Sequence, residues 1–282
     1  MRHPNVPESL EGWWILHRMF AFDRREWKDT DAGIRVRAAG EAAAALAALK
    51  SHDGADVGCA QLLGHKGDVM LTHYAKTFEG LARAQTIVDG LELAEYLEPV
   101  HSYVSVLELG LYDATQKIHQ ALEERDLKAH SVEWETAFDE LLAEQAGNPR
   151  NAGRLWAPIP QRRYVCFYPM DKKRGESVNW YMLPLAERAR LMLDHGKIGR
   201  TFHGLVTQVI SGSIGYDDYE WGVDLYADDP LVFKKLIYEM RFDEASANYA
   251  EFGPFFTGLQ FPVEALPQYL NGEALPPLAP AP

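Results

Sequence analysis

The sequence predicts an α+β fold in which two similar halves each repeat the order β-α-β-β-α-β. Strand-like runs of branched and aromatic residues alternate with helical patterns twice along the chain. The stretches VMLTHYAKTFEGLARAQTIV and GVDLYADDPLVFKKLIYEM take corresponding places in the two halves and match in pattern. This order is the ferredoxin-like arrangement, and two such sheets packed face to face would form one α+β barrel.

In the first half, strands are predicted where apolar residues run together or alternate, and helices where apolar residues recur every three or four positions. A long, charged and acidic helical stretch, Lys117–Gln145, follows these elements. The predicted strands are Trp13–Phe22, Asp68–Tyr74 and Ser102–Leu109, and the predicted helices are Ala38–Lys50 and Thr77–Val88.

A run of turn-forming residues, Gly147–Asn151, separates the two halves. We therefore predict a first half at 1–146, a linker at 147–162, a second half at 163–274 and a disordered, proline-rich tail at 275–282. The second half is predicted to contain strands Tyr164–Tyr168, Leu205–Ile210, Glu220–Tyr226 and Phe252–Phe261, and helices Leu185–His195 and Pro230–Phe242.

The composition narrows the class of function. The chain has 282 residues, of which 47% are hydrophobic, so it has enough apolar residues for a substantial core. A net charge of −13 argues against a nucleic-acid surface. Two distant cysteines predict neither a disulfide scaffold nor a zinc site, and we expect a reducing, cytoplasmic location. The N-terminus lacks a signal-peptide pattern, and no run approaches the about 20 apolar residues of a membrane span.

The stretch Tyr164–Arg200 combines three residue types that could act on an anionic ligand carrying a metal. Tyr168 is predicted at a strand exit, where Pro169 keeps it extended, and Lys172 opens a basic turn. His195 lies on the next helix, beside its apolar face. Each residue has a structural reading too, as a packed tyrosine, a solvated turn and a buried histidine. One imidazole nevertheless suffices as the axial ligand of a haem.

Gln208 is a polar residue on an apolar strand face, alternating with Val206 and Ile210. Such a side chain must find a hydrogen-bond partner, which could be another protein group or a ligand in a pocket. Motifs for nucleotide binding, for a serine nucleophile and for a zinc protease are absent from the sequence.

The second half resembles the coproheme decarboxylases of the chlorite dismutase superfamily. The segment SYVSVLEL in the first half is also similar, whereas the acidic stretch Lys117–Gln145 has no counterpart that we can place. The matching words are YPMDKKR (Tyr168–Arg174), NWYMLP (Asn179–Pro184), ER (Glu187–Arg188), HGKIGR (His195–Arg200), SGSIGYDDYEWGV (Ser211–Val223) and YEMRFDEASANYAEFG (Tyr238–Gly253).

The resemblance implies a dimeric α+β barrel protomer, usually assembled as a homopentamer. It also implies that iron coproporphyrin III is both substrate and redox centre, that hydrogen peroxide is the oxidant, and that two propionates become vinyls to give haem b. A transient contact with coproporphyrin ferrochelatase would accompany this role.

By position, the resemblance makes His195 the iron ligand and Tyr168 the catalytic residue, which passes on the oxidation as a tyrosyl radical. Lys172 would hold or protonate a reacting propionate, and Gln208 would be the distal residue. The remaining implied substrate contacts are Arg154, Pro169, Met170, Asp171, Trp180, Arg241 and Ser246.

Two other functions stay open at this stage. One is a haem-binding or haem-transfer module without turnover, which would not need Tyr168. The other is peroxidase or chlorite-decomposing activity. The chlorite-decomposing relatives carry an arginine where this chain has Gln208, and a neutral amide stabilises an oxyanion less well than a permanent cation.

Overall fold

The computed structural model describes residues 6–278, apart from the side chains at positions 111 and 113. The strands are β1 (Leu10–Phe22), β2 (Ala55–Leu62), β3 (Val69–Ala75), β4 (Leu97–Leu109), β5 (Tyr164–Lys172), β6 (Val206–Gly212), β7 (Trp221–Ala227), β8 (Ala250–Phe252) and β9 (Phe256–Phe261). The helices are α1 (Arg24–Asp29), α2 (Ala32–Ser51), α3 (Phe78–Asp89), α4 (Leu111–Glu124), α5 (Val132–Gly147), α6 (Pro149–Leu155), α7 (Leu185–Thr201), α8 (Leu231–Met240), α9 (Glu244–Tyr249) and α10 (Leu266–Asn271).

The strands form one antiparallel sheet in the order β7-β6-β4-β1-β3-β2-β9-β5-β8, and a further pairing of β7 with β5 closes it into a barrel. The two halves repeat the same order, β1-α2-β2-β3-α3-β4 and β5-α7-β6-β7-α8-β9. Strands from the two halves pair at β2–β9 and at β4–β6, so both halves share one sheet. The structure confirms the predicted α+β fold.

The inside of the barrel is a packed core that includes a few polar groups. Large apolar side chains such as Ile15, Met70 and Phe167 fill it. His17 and Asp224 lie among them with no solvent exposure, and Nε2 of the histidine is 3.0 Å from the Asp224 carboxylate. Because a buried charge or dipole is costly without a partner, this pair joins β1 to β7 across the barrel.

Helices cover the outside of the sheet in each half. In the first half, α2 and α3 pack over β2 and β3, which explains why every residue of β3 is buried. In the second half, α7 and α8 pack over β5, β6 and β7. The functional candidates of the sequence lie on this second outer face.

The structure adds one strand to the first half. Strand β2 was not predicted, because its buried positions follow no alternation and Gly58 interrupts it. The stretch Lys117–Gln145, predicted to be helical, lies in two helices: α4 and α5 are separated by a turn in which Asp126 and His130 take positive φ angles. These two helices bury their own small apolar cluster, which includes Trp134 and Phe138.

Three predicted elements of the second half differ from the structure by more than a shift of one or two residues at their ends. Strand β5 continues past Tyr168 to Lys172, so Tyr168 lies inside the strand and Lys172 ends it. Helix α7 continues past His195 to Thr201. The predicted strand Phe252–Phe261 is two strands, β8 and β9, separated at 253–255.

The predicted linker contains a helix, and the start of the predicted tail contacts the second half. Helix α6 forms within the predicted linker and starts with Pro149 in its first turn, beneath the Asn148 cap. At the start of the tail, Arg163 donates hydrogen bonds to the carbonyls of Leu275 and Pro276, and residues 279–282 lie outside the described part. Among the described residues, none of the helices is both long and apolar enough to cross a membrane.

We predict that His73 makes the fold sensitive to mild acid. It is 1% exposed beneath α3, and burial together with Arg18 lowers the pKa of His73 to about 4, below the usual 6.5. The unfolded chain therefore binds a proton before the folded chain does. The free energy of unfolding should fall by up to about 1.4 kcal/mol per pH unit as the pH drops from 6.5 toward 4, and stay unaffected above 6.5.

Urea unfolding of wild type and His73→Leu at several pH values measures this loss. The variant should lack the His73 part of the slope, whereas His52→Gln, at an exposed position, should keep it. Identical slopes for wild type and His73→Leu would contradict the prediction.

Candidate functional site

His195 presents one ring nitrogen to the protein and leaves the other for a ligand. It lies on α7, which begins after Pro184, and its side chain is 25% exposed. Nδ1 is 3.0 Å from the carboxylate of Asp243 and 3.4 Å from the hydroxyl of Ser246. Both contacts use Nδ1, so Nε2 is the nitrogen suited to bind a metal.

Asp243 is fixed by its position as the N-cap of α9. Its carboxylate accepts a hydrogen bond from the backbone N–H of Ser246, as a capping aspartate does, and also contacts His195. Burial alone would raise the pKa of Asp243, but the bonds from His195 and Ser246 outweigh it and lower the pKa. The carboxylate therefore stays ionised and orients the imidazole.

Lys172 lies close to the same helix. Its side chain is buried, Nζ donates a hydrogen bond to the Ala245 carbonyl at 3.3 Å, and the backbone N–H of Lys172 donates to Glu220. Burial lowers the pKa of Lys172 to about 8, although Asp243 and Glu220 oppose this. An amine with this pKa can bind an anion and also release a proton near neutral pH.

The Lys172 ammonium makes a cation–π contact with the ring of Trp180. Nζ is 4.4 Å from the ring centre of Trp180, which is itself 1% exposed. The indole N–H of Trp180 donates to the hydroxyl of Tyr112 on α4, and the guanidinium carbon of Arg188 lies 5.7 Å from the Tyr112 ring centre. Helix α4 thus reaches the site, although no motif in this segment predicts that it would.

Tyr168 is 4% exposed and points to the outer face of the sheet, toward the apolar cluster under α7 and α8. Its ring stacks on Phe255 at 4.7 Å between centroids and 28° between planes, and meets Phe252 at 5.6 Å. Burial raises the pKa of the phenol above its usual value and Cys166 adds to the rise, whereas Arg241 opposes it. The phenol is therefore protonated at neutral pH.

The strands that pair with β5 on one side, β8 and β9, are interrupted opposite Tyr168. Pro169 has no N–H to donate to a ladder, and its carbonyl accepts a hydrogen bond from Gly253. Between the pairs Phe167↔Phe256 and Met170↔Phe252, two residues of β5 face three residues, 253–255, on the other side. The extra residue makes a bulge at this point.

Gln208 lies on β6, on the side of the sheet that α7 covers. A Cβ added at Gly199, one turn beyond His195 on α7, would lie 3.4 Å from Nε2 of Gln208. The absence of a side chain at Gly199 therefore lets the amide approach the helix. Across the sheet, Gln208 pairs with Leu225 of β7, which in turn pairs with Cys166 of β5.

Some of the other residues predicted to contact the substrate lie near His195 or Tyr168, and others do not. Ser246 is buried beside His195, as described above, and Met170 shares the outer face of β5 with Tyr168. The Arg241 guanidinium carbon lies 4.1 Å from the Phe252 ring centre. The Asp171 carboxylate accepts the backbone N–H of Glu220. Arg154 is exposed on α6, and the described contacts do not join it to the residues around His195.

One carboxylate on this face was missed by the sequence reasoning. Glu108 on β4 reaches over β6, where a Cβ added at Gly212 would collide with its carboxylate, and Trp221 donates its indole N–H to Glu108 at 2.8 Å. Burial raises the pKa of Glu108, while the Trp221 bond lowers it. Its only sequence signal is the alternation that puts Val104, Val106 and Glu108 on one face.

Comparison with known proteins places this geometry in a family. The chlorite dismutase family description matches residues 35–261. A structure described as a novel haem-binding protein from Thermus thermophilus is 37% identical, with a TM-score of 0.80 over 96% of this chain and 100% of that one. The chain belongs to the chlorite dismutase family.

More distant members of the family share the fold. The chlorite dismutase from Candidatus Nitrospira defluvii in complex with imidazole is 17% identical, with a TM-score of 0.69 over 92% of this chain and 95% of that chain. A tryptophan mutant of the same enzyme is 18% identical, with the same TM-score and coverage. At this identity the likeness concerns the fold alone.

The residues around His195 fit a ligand that brings its own metal coordination. In the described part of the chain, no group of three His, Cys, Asp or Glu side chains could hold a metal ion. A single imidazole, backed by a carboxylate at Nδ1, is the arrangement that suits an axial ligand to a porphyrin iron. Lys172 lies near it and could pair with an acidic group of such a ligand.

We predict that Gly212→Ala destabilises the protein through Glu108. The new methyl group should displace the carboxylate and break its bond to Trp221, at a cost of about 1–3 kcal/mol in the free energy of unfolding. In a Glu108→Ala background the same change should cost less than about 0.5 kcal/mol, because the colliding group is gone.

Chemical unfolding of the two single variants and the double variant measures the coupling. Gly40→Ala is the control, since a Cβ there meets nothing within 4 Å and the residue lies in α2, where alanine favours the helix. Additive effects at 108 and 212 would contradict the prediction.

Proposed function

We propose that this protein is a coproheme decarboxylase. It would use hydrogen peroxide to convert two propionates of iron coproporphyrin III into vinyl groups and so form haem b. The observation that carries the proposal is the conjunction of a buried phenol, Tyr168, a carboxylate-backed imidazole, His195, and a buried lysine, Lys172, in one half of the fold. The haem-binding description of the Thermus thermophilus relative supports an iron porphyrin as ligand.

The overall reaction balances with one peroxide for each propionate. A propionic acid side chain and one hydrogen peroxide give a vinyl group, one carbon dioxide and two waters. The side chain loses two electrons and peroxide gains two. The bound substrate supplies the iron at which peroxide is reduced, so the protein has to hold the porphyrin, exclude water and carry one oxidising equivalent to the propionate.

His195 would hold the iron through Nε2. Asp243 accepts from Nδ1, which fixes the tautomer and makes the imidazole a stronger donor. Ser246 contacts the same nitrogen, so the ring plane is held by two groups of one short helix. The same contact gives Ser246 a role behind the histidine, in addition to the propionate contact that the resemblance implies.

Tyr168 would carry the oxidising equivalent. Its phenol gives up an electron and its proton, and the resulting tyrosyl oxygen takes a hydrogen atom from the β-carbon of a propionate. An O–H bond forms and a C–H bond breaks. Loss of a second electron from that carbon to the oxidised substrate then breaks the bond to the carboxylate and releases carbon dioxide. Because Tyr168 is buried, water and reductants are kept away from the radical.

Lys172 would bind the reacting carboxylate and supply or accept a proton, as its lowered pKa allows. Gln208 would face the iron on the side opposite His195. The remaining contacts, Arg154, Pro169, Met170, Asp171, Trp180 and Arg241, are proposed from the resemblance alone. In an acidic chain, a local cation such as Lys172 is what an anionic porphyrin side chain requires.

The wider setting is proposed on the same resemblance. We infer a homopentamer of dimeric α+β barrel protomers, a cytoplasmic location, and a transient contact with coproporphyrin ferrochelatase. Chlorite decomposition is the less favoured reaction, because Gln208 lacks the permanent charge of an arginine. Measurement of oxygen release from chlorite tests that reaction directly.

We predict that Tyr168→Phe binds coproheme like the wild type but forms no haem b with peroxide. The phenylalanine keeps the ring and its packing and removes the O–H that the radical step needs. Mass spectrometry of the porphyrin after peroxide addition gives the product, and Tyr164→Phe, on the same strand face, is the matched control. Unchanged haem b formation by Tyr168→Phe would refute the proposed mechanism, and a protein without turnover would behave the same with and without Tyr168.

We predict that His195→Ala binds coproheme at least about tenfold more weakly, since second-sphere changes at metal sites alone cost about 10–100-fold. The Soret band should shift with loss of the imidazole ligand. His203→Ala, at an exposed position just beyond α7, should leave both properties as in the wild type. An unaltered Soret spectrum for His195→Ala would exclude His195 as the axial ligand.

A further inference from the structure

The tyrosine proposed to carry the radical is held against two phenylalanine rings. Phe255 lies nearly parallel to Tyr168, with 4.7 Å between centroids, and Phe252 is 5.6 Å away at 43°. Phe252 and Phe255 are themselves stacked at 6.2 Å and 20°. The guanidinium carbon of Arg241 lies 4.1 Å from the ring centre of Phe252. Three aromatic rings thus form one cluster in which each ring contacts the other two, and the guanidinium packs on one of them.

The bulge at 253–255 creates this aromatic cluster. In a regular strand, residues three positions apart point to opposite faces, so Phe252 and Phe255 could not both lie on the outer face with Tyr168. The extra residue opposite Tyr168 and Pro169 reverses that relation. Gly253 permits the turn, because a Cβ there would lie 2.8 Å from Pro169 and from Tyr219. The interruption of the sheet therefore places Phe252 and Phe255 on the same face as Tyr168.

We propose that Phe255 is a positioning residue for the oxidised Tyr168, an inference that rests on the proposed function. Its ring fixes the angle of the tyrosine ring, so that the phenol oxygen faces the propionate, and it covers the ring against water. A radical transfers hydrogen only over a short distance and along one direction, so a ring free to turn abstracts the β-hydrogen less often than it is reduced by other groups. Phe252, with a looser contact, plays a smaller part.

A packing role alone would give a different result. If Phe255 only filled space, an apolar replacement would lower the stability of the protein. It would leave the orientation of Tyr168 and the number of vinyl groups formed per peroxide unchanged. The informative variant is therefore Phe255→Leu, which stays apolar and removes the ring. Phe233→Leu is the matched control: Phe233 belongs to the same apolar cluster, and the described ring contacts do not join it to Tyr168.

The first readout uses the protein without substrate. In protein labelled with ¹³C-tyrosine, the Tyr168 ring signal is identified by its loss in Tyr168→Phe. The stacked Phe255 ring should shift the Tyr168 ring protons upfield and slow the flipping of the ring. Phe255→Leu should speed the flipping of the Tyr168 ring, and Phe233→Leu should leave the flipping rate as in the wild type.

The second readout uses protein loaded with coproheme. The wild type should consume about one peroxide for each vinyl formed. Phe255→Leu should bind coproheme within about threefold of the wild type, form haem b at least about tenfold more slowly, and consume several peroxides for each vinyl, because misplacement of a reacting group by about 1 Å costs on the order of 100-fold in rate. Phe252→Leu should fall between the wild type and Phe255→Leu.

The outcomes separate this inference from the proposed function. A wild type that forms no haem b overturns the proposed function, whatever the NMR signal shows. If the wild type is active and Phe255→Leu keeps its rate and its peroxide requirement, the positioning role is wrong and the proposed function stands. If the Leu variant is unstable, Phe255→Met gives the same comparison, because it keeps a long apolar side chain without a ring.

Discussion

The pairing of β5 with β7 is the interaction on which the rest of the second half depends. It closes the sheet, and closure gives the sheet one enclosed face and one outer face. Successive side chains of β5 then point to alternate faces of the sheet. Phe167 points into the barrel, whereas Tyr168, Met170 and Lys172 point to the outer face, beneath the helices. One residue of slippage would exchange the two sets and bury the site inside the barrel.

A single short helix, α9, supports two of the three proposed functional groups. Its N-cap Asp243 contacts His195, and its Ala245 carbonyl accepts from Lys172. The histidine comes from a long helix and the lysine from a strand end, so neither element alone fixes their separation. The six residues of α9 do so, and Trp180 completes the support from behind the lysine.

Much of this arrangement could be predicted from the sequence. The duplicated α+β order follows from periodicity, and the grouping of Tyr168, Lys172 and His195 in one stretch is evident from the order of residues alone. Asp243 was out of reach, because it is 48 residues from His195 and an N-cap aspartate looks the same whether or not it touches a histidine. The bulge beside Tyr168 was missed because the apolar run Phe252–Phe261 reads as one strand. Glu108 was missed because the sequence does not show that Gly212 leaves room for a carboxylate.

The pairing of β2 with β9 sets when the barrel can form. It joins Cys59 to Phe261, which are about 200 residues apart in the sequence, so the barrel cannot close until β9 has been synthesised. Until then β2 remains an open edge with unpaired N–H and C=O groups. The face of β3 that lies inside the finished barrel is also still uncovered. Such an edge is a template for pairing with another chain. The growing polypeptide is therefore most exposed to misassembly late in translation, when most of the sheet exists and its last strand does not.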